Sequence, residues 1–215
     1  MSAALVIGAH GRTGRLVVDE LVTSGHQVTG TVRLAEHVKA LHVSGAQAEV
    51  LDLLTATRDD LQRLMVGVHA VVYAAGSSTH TPLEAVNQVD GESIVRAADA
   101  AVLAGVRRFV LVSAHRTDED FGGQRVMHLL RAKRAADAHL RGTTLGWTIL
   151  RPDALTEQPP TGRVRLATAV PHGALPRADL AHLIRIALES PAAVRRQLEV
   201  TGGPVPIDRA FDTPR

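Results

Sequence analysis

The sequence predicts an α/β protein with a doubly wound parallel sheet. Two observations carry this. Short, almost wholly apolar runs alternate with longer amphipathic stretches along the first 150 residues, and the first such run leads directly into a glycine-rich turn and a helical pattern. Strands that are apolar on both faces need cover on both faces. Crossover helices supply it in a parallel sheet, with right-handed connections.

Each element has its own signal. Ala3-Ala4-Leu5-Val6-Ile7 is the first strand, and Leu16, Val17, Leu21 and Val22 recur at helical spacing after it. Residues 27–33 read as a second strand and 35–43 as a short helix. Residues 48–51 give a short third strand, and 58–65 one or two helical turns. Residues 68–75, rich in valine, form the fourth strand. Residues 83–104 read as one long helix capped by Gly105, 107–113 as the fifth strand, 124–141 as a helix stopped by Gly142, and 147–150 as the sixth strand. From Arg151 the rhythm changes, because Pro152, Pro159, Pro160, Pro171 and Pro176 break the chain into short pieces. One helix, 178–189, and one strand, 197–201, follow. Residues 1–215 are expected to form a single domain, with about 151–215 a small C-terminal elaboration over the sheet edge on the substrate side.

Composition excludes whole classes of function. With no cysteine among 215 residues there is no disulfide framework, thiolate metal site or cysteine nucleophile. Lys and Arg number 24 against 22 Asp and Glu, the basic residues are scattered, and only Tyr73, Phe109, Phe121, Trp147 and Phe211 are aromatic. That is not a nucleic-acid surface, which needs basic clusters and stacking rings. No segment reaches the roughly 18 apolar residues of a membrane span. The short apolar start lacks a basic n-region. A soluble, cytoplasmic protein is expected. Eleven histidines invite a metal, but no pair stands at H-x-x-x-H or H-E-x-x-H spacing, so none is expected.

The strongest signal is Gly8-Ala9-His10-Gly11-Arg12-Thr13-Gly14 at the first strand–helix junction. Gly8 allows the tight turn, Gly11 lets backbone approach a pyrophosphate, and Gly14 lets the helix pack on the strand. The helix N-terminus offers free amides to the phosphates. The bland alternative is a tight turn without a ligand. At the end of the second strand, where an acidic residue would hold the ribose hydroxyls of NAD, stands Thr31-Val32-Arg33. A guanidinium there can pair with a 2′-phosphate, and Arg12 can add a second charge, so NADP is expected over NAD. The alternative for Arg33 is a solvated strand end.

Gly8 to Gly14, Arg33, Asp52-Leu53, Ala74-Ala75-Gly76, the stretch 105–113, Ala132-Lys133-Arg134 and Leu150-Arg151-Pro152 stand in an order that resembles the atypical short-chain dehydrogenase/reductases. The nearest branch is the NAD(P)-binding one that includes NmrA-like and biliverdin-reductase-B-like proteins. The resemblance implies a Rossmann fold and a set of roles. Asp52 and Leu53 would lie along the adenine, and Ala74, Ala75 and Gly76 beneath the adenine ribose and pyrophosphate. Ser113 would end the fifth strand near the nicotinamide, Lys133 would reach the nicotinamide ribose, and Pro152 would border the nicotinamide. Each has a plain alternative: Asp52 a helix cap, Lys133 a solvated helix residue, the Ala-Ala-Gly end a packed strand terminus.

The catalytic pattern is broken. Carbonyl-reducing members of this superfamily carry a tyrosine four residues before the lysine, on the same helix face. Here that position is Leu129, His128 beside it faces elsewhere, and Tyr73 lies inside the fourth strand. Two readings follow. One is an NADPH-dependent reductase of a small acceptor such as a quinone, flavin or carbonyl, with Ser113, Lys133 and His115 as candidate catalytic residues and His115 as the candidate proton donor. The other is a protein that binds NADP(H) without turnover and works as a redox-state sensor or a partner-binding regulator. A sugar-nucleotide epimerase or dehydratase is disfavoured by the missing tyrosine and the short C-terminal region. The substrate pocket is expected between residues 77–82, 115–123 and 153–162, with Phe121 as the aromatic of a candidate lid. The helical stretch 83–104 suits either pairing between subunits or packing on the sheet.

Overall fold

The computed structural model describes residues 2–78, 80–119 and 122–212. The chain begins β1 (Ala3–Ile7), α1 (Arg12–Thr23), β2 (Gln27–Val32), a 3-10 turn, α2 (Val38–Val43), β3 (Gln47–Val50), α3 (Arg58–Met65) and β4 (Ala70–Tyr73). It continues with α4 (Leu83–Asn87), a π turn at Gln88–Glu92, α5 (Ser93–Leu103), β5 (Arg108–Val112), α6 (Gln124–Arg141) and β6 (Gly146–Pro152). The remainder comprises β7 (Ala154–Thr156), β8 (Arg163–Ala167), β9 (Ala174–Pro176), α7 (Arg177–Glu189), β10 (Arg196–Gly202) and β11 (Val205–Pro206).

Nine strands form one sheet in the order β11-β8-β10-β6-β5-β4-β1-β2-β3. From β3 through β10 every neighbouring pair is parallel. The chain builds β2 and β3 on one side of β1, then crosses to the other side for β4, β5 and β6. A doubly wound sheet opens its binding crevice where that direction reverses, at the carboxyl ends of β1 and β4. Apolar side chains fill both faces. On one, Val17, Val18 and Leu21 of α1 pack with Leu180, Leu183 and Ile184 of α7. On the other, Leu61 and Met65 of α3 join Ile94 and Ala98 of α5 and Leu140 of α6. Each fully buried aliphatic side chain contributes roughly 1.5–3 kcal/mol.

Two expectations need correction. The stretch 83–103 is continuously helical as expected, but the π turn Gln88–Glu92 interrupts its α geometry. Gly91 explains how that turn packs: a Cβ there would lie 3.1 Å from Asn87 Oδ1 and 3.3 Å from the Ala132 Cβ of α6. The C-terminal region is also more than a cover over the sheet edge. β10 joins the sheet beside β6, and β8 and β11 extend it antiparallel, while β7 and β9 form a separate two-stranded ribbon. β8, β7, β9 and β11 escaped the sequence pattern because they are short and partly exposed, so period-2 alternation had little length to register.

Candidate functional site

The glycine loop stands at the sheet's reversal point. Gly8 has φ +85°, and a Cβ there would fall 2.6 Å from the backbone nitrogen of Ala75 at the end of β4. A Cβ at Gly14 would lie 2.1 Å from the carbonyl oxygen of Gly8. The fold itself demands both glycines. Gly11 differs: it is extended (φ −64°, ψ 161°), and a Cβ would meet only the Gly8 oxygen, at 3.2 Å. Among the described residues nothing else lies within 4 Å of that Cβ position, which is what a backbone left open for a ligand requires. Arg15 N–H donates to the Gly11 carbonyl, so the amides of Arg12, Thr13 and Gly14 have no intrahelical acceptor. No acidic side chain occupies the first turn of α1. Together these features suit a pyrophosphate. Thr31 anchors the loop to β2, accepting from Gly8 N–H through its hydroxyl and from Ala9 N–H through its carbonyl, both at 3.1 Å.

Beyond β2, Arg33 is exposed and makes no ion pair among the described residues. The His10 ring stacks on His37, with centroids 3.5 Å apart and planes within 8°. Burial, then the neighbouring His37 and Arg15, hold the His10 pKa below its ordinary value. Arg12 leans the other way, with its guanidinium 3.4 Å from Glu157, which also accepts from Arg177 at 2.8 Å. Arg12 and Glu157 both line a cavity of about 310 Å³ beside the loop.

Asp52 follows β3 and caps no helix. Its carboxylate accepts from the Leu54 amide at 3.0 Å, while Thr57 caps α3 in a reciprocal pair with Asp60. Leu53 gives its carbonyl to Arg96 of α5 at 2.7 Å. Ala74, Ala75 and Gly76 leave β4 at the crevice, with Gly76 exposed. Here the π turn acquires a purpose. It directs the buried Asp90 inward, where Oδ2 accepts from the Ser77 amide at 3.0 Å and Oδ1 lies 3.2 Å from Lys133 Nζ. Lys133 is therefore no solvated helix residue: it is buried and ion-paired.

Ser113, at the end of β5, donates to the buried Asp137 of α6 at 3.0 Å. Asp137 sits one turn beyond Lys133 and is also held by Arg151 at 2.8–2.9 Å. Burial pushes the Asp137 carboxyl up, against the opposing pull of Arg151 and Ser113. Arg151 reaches on to Asp118, whose carboxyl its hydrogen bond holds below the usual range. Tyr73 is fully buried with its hydroxyl 2.6 Å from Ser93, and burial pushes its pKa up, which disqualifies it as a proton donor near neutral pH. His115 N–H donates to the Pro152 carbonyl at 3.0 Å, tying the ends of β5 and β6. Its ring is buried against Glu199 of β10, 3.1 Å away. Phe121 lies outside the described residues. Arg125 of α6 bonds the carbonyls of Ser78 and Thr81, bracing residues 77–82.

Sequence reasoning missed Asp90, Asp137 and Glu199. The one available signal was the i, i+4 pair Lys133–Asp137, which puts an acid on the lysine's helix face.

A family model described as NAD(P)H-binding matches residues 8–191, from the first glycine of the loop through α7. The chain belongs to the NAD(P)H-binding family. Among its relatives is YhfK of Bacillus subtilis (strain 168), an uncharacterised protein named as a sugar epimerase. The two are 30% identical over 208 residues, covering 96% of this chain and 97% of YhfK. A solved structure from Bacillus halodurans, described as a proposed NAD-dependent epimerase/dehydratase, superposes with a TM-score of 0.92 at 29% identity over 99% of both chains. ChuY, an anaerobilin reductase from Escherichia coli O157:H7, shares the fold at TM-score 0.79 and 20% identity, over 95% of this chain and 98% of its own. Membership of the NAD(P)H-binding family agrees with the atypical short-chain dehydrogenase/reductase resemblance in the sequence. Among the described residues, no helix of this family member is long and apolar enough to cross a membrane.

Proposed function

We propose that this NAD(P)H-binding protein is an NADPH-dependent reductase of a small acceptor such as a quinone, flavin or carbonyl. The observation that carries the reading is Gly11, open where packing does not require it, followed at the end of β2 by an exposed arginine in place of a carboxylate. In this reading the amides of Arg12, Thr13 and Gly14 and the backbone at His10 and Gly11 take the pyrophosphate, and Arg33 with Arg12 takes the 2′-phosphate. Asp52, Leu53, Ala74, Ala75 and Gly76 border the adenosine half. Ser113, Lys133 and Pro152 border the nicotinamide half, and His115 is the candidate proton donor. Bound NADPH supplies a hydride to the acceptor. Lys133, ion-paired with Asp90, is read as a positioning residue, because Leu129 stands where its partner tyrosine would be.

The epimerase names of two relatives fit this site poorly. Oxidising a sugar hydroxyl requires a base at the hydroxyl as hydride leaves, and neither Leu129 nor the buried Tyr73 supplies one. The reductase name of ChuY needs less, since quinones and flavins take protons from water. The same missing tyrosine supports one competing reading: a protein that binds NADP without turnover and signals to a protein partner.

Two measurements test these readings. Fluorescence titration should show NADPH binding more tightly than NADH, and Arg33→Ala should weaken NADPH alone. Equal affinities would remove the role of Arg33. NADPH oxidation should then be followed with quinones, flavins, carbonyls and a nucleotide sugar. Tight binding with no turnover on any acceptor would replace the reductase with the binding protein.

A further inference from the structure

Three side chains far apart in sequence meet at the carboxyl ends of neighbouring strands. His115 follows β5, Asp153 follows β6, and His172 lies in the loop before β9. One ligand atom from each lies within 4.8 Å of the other two. The His115 and His172 rings are 5.1 Å apart, and His172 Nδ1 sits 3.0 Å from Asp153 Oδ2. We propose that His115, Asp153 and His172 form a binding site for a divalent transition metal of the zinc class.

Two imidazoles and a carboxylate are a donor set that zinc-class ions favour, with room for water or a further ligand. Behind the set is a built support. Glu199 of β10 accepts from the Arg116 amide at 3.1 Å and from the Val170 amide at 2.9 Å. One buried carboxylate thus pins both loops that carry the histidines. It also lies 3.1 Å from His115 Nε2, and the Val170 carbonyl lies 3.1 Å from the same nitrogen. A ring nitrogen between two acceptors carries the proton, which leaves Nδ1 as the lone-pair atom. A carboxylate behind a histidine is the arrangement that fixes tautomer and basicity in metal sites. Arg116, between the two loops, has φ +54°, a left-handed conformation uncommon for a non-glycine residue. Asp153 Oδ2 accepts from the Gly173 amide at 2.9 Å, which fixes the carboxylate beside His172. Asp153, Glu199 and Glu119 all lie within electrostatic reach of the Arg116 guanidinium.

Metal binding requires a small closure. Donors on one tetrahedral zinc stand roughly 3.4 Å apart, by the usual bond lengths of about 2.1 Å. The exposed His172 is the side chain able to move, since His115 is buried. Arg116 NH1 now contacts His172 Nε2 at 2.5 Å. An ion on Nδ1 turns Nε2 into a donor, so Arg116 must release it. His115, Asp153 and His172 lie on two strand ends and a loop, so no H-x-x-x-H or H-E-x-x-H spacing marks them.

The test uses full-length protein stripped with a chelator and titrated with Zn²⁺ by calorimetry and with Co²⁺ by visible absorption. The expected result is one equivalent bound with micromolar or tighter affinity and a Co²⁺ band of low-coordinate character. His172→Ala and Asp153→Asn should each weaken binding at least about tenfold, as loss of a ligand or its support does. Both positions are partly exposed, so unchanged melting curves will show that the variants fold. His182→Ala, at a partly exposed histidine paired with Asp208 elsewhere, should leave binding unchanged. Absence of saturable binding, or equal loss in all three variants, overturns the site. Metal binding is separable from cofactor binding, because NADPH affinity of His172→Ala and Asp153→Asn is expected to match the parent protein and a failure of NADPH to bind would leave the metal titration intact; a metal held by His115 takes the place of that ring's candidate role as proton donor.

Discussion

Replacing Gly11 with alanine separates folding from binding. The position is extended at φ −64°, ψ 161°, which any residue adopts, and the added methyl meets only the Gly8 carbonyl oxygen at 3.2 Å. A shift of a few tenths of an ångström relieves that contact. The cost is offset by the roughly 0.4–1 kcal/mol that glycine-to-alanine substitution contributes by restricting the unfolded chain. Stability should therefore change by less than about 1 kcal/mol. Binding should change far more. Hydrogen bonds to a charged group are worth roughly 1.5–3 kcal/mol each, and about 1.4 kcal/mol is a factor of ten, so losing one phosphate contact weakens NADPH roughly 10- to 150-fold. The assay pairs thermal melts with NADPH fluorescence titration. Gly14→Ala, whose methyl would fall 2.1 Å from the Gly8 oxygen, should instead lose the fold. Undiminished NADPH affinity in Gly11→Ala would refute the assignment of the loop. A collapse of stability would refute the claim that only a ligand needs this glycine.

Three further outcomes are expected. Glu157→Gln frees Arg12 from an exposed ion pair worth at most about 1 kcal/mol, so NADPH affinity should rise by up to roughly fivefold; a decrease would show that Glu157 supports the cofactor site. Asp137→Ala leaves the buried Arg151 without its inner partner and should cost about 3–5 kcal/mol in urea unfolding, whereas a near-neutral result would mean that water replaces the carboxylate. The depressed His10 pKa means that the fold prefers the neutral stack with His37. That contribution is present above the unfolded histidine pKa of about 6.5 and fades as pH falls below it. Melting temperature should thus drop more steeply between about pH 7.5 and about pH 5.5 in the parent than in His10→Gln.

Strand positions, the crossover helices and the glycine loop were legible because each rests on neighbours in the chain. Ala3–Ile7 is apolar throughout, and Gly8, Gly11 and Gly14 mark a strand–helix turn by spacing alone. Arg33 could be placed by counting from that loop. The missing tyrosine was equally plain, since Leu129 and Lys133 share one helix face. Lys133 was harder. Its pattern left a solvated residue open, and only the approach of Asp90 from the π turn, 43 positions earlier, shows that it is buried.

What the sequence determined by itself is therefore the local layer: which segments before Arg151 are strands, which glycines turn the chain, which cofactor family fits, and which proton donor is absent. Backbone preference and hydrophobic periodicity act over a few residues, and those features need no more. Tertiary structure alone decided that β8 and β11 extend the sheet antiparallel, that a π turn interrupts the helical stretch 83–103, and that His115, Asp153 and His172 converge under Glu199. Each joins segments whose separation along the chain carries no signal. They meet because burying both faces of the sheet forces the strand ends together, and buried charges such as Asp90, Asp137 and Glu199 must then find partners wherever packing has placed them.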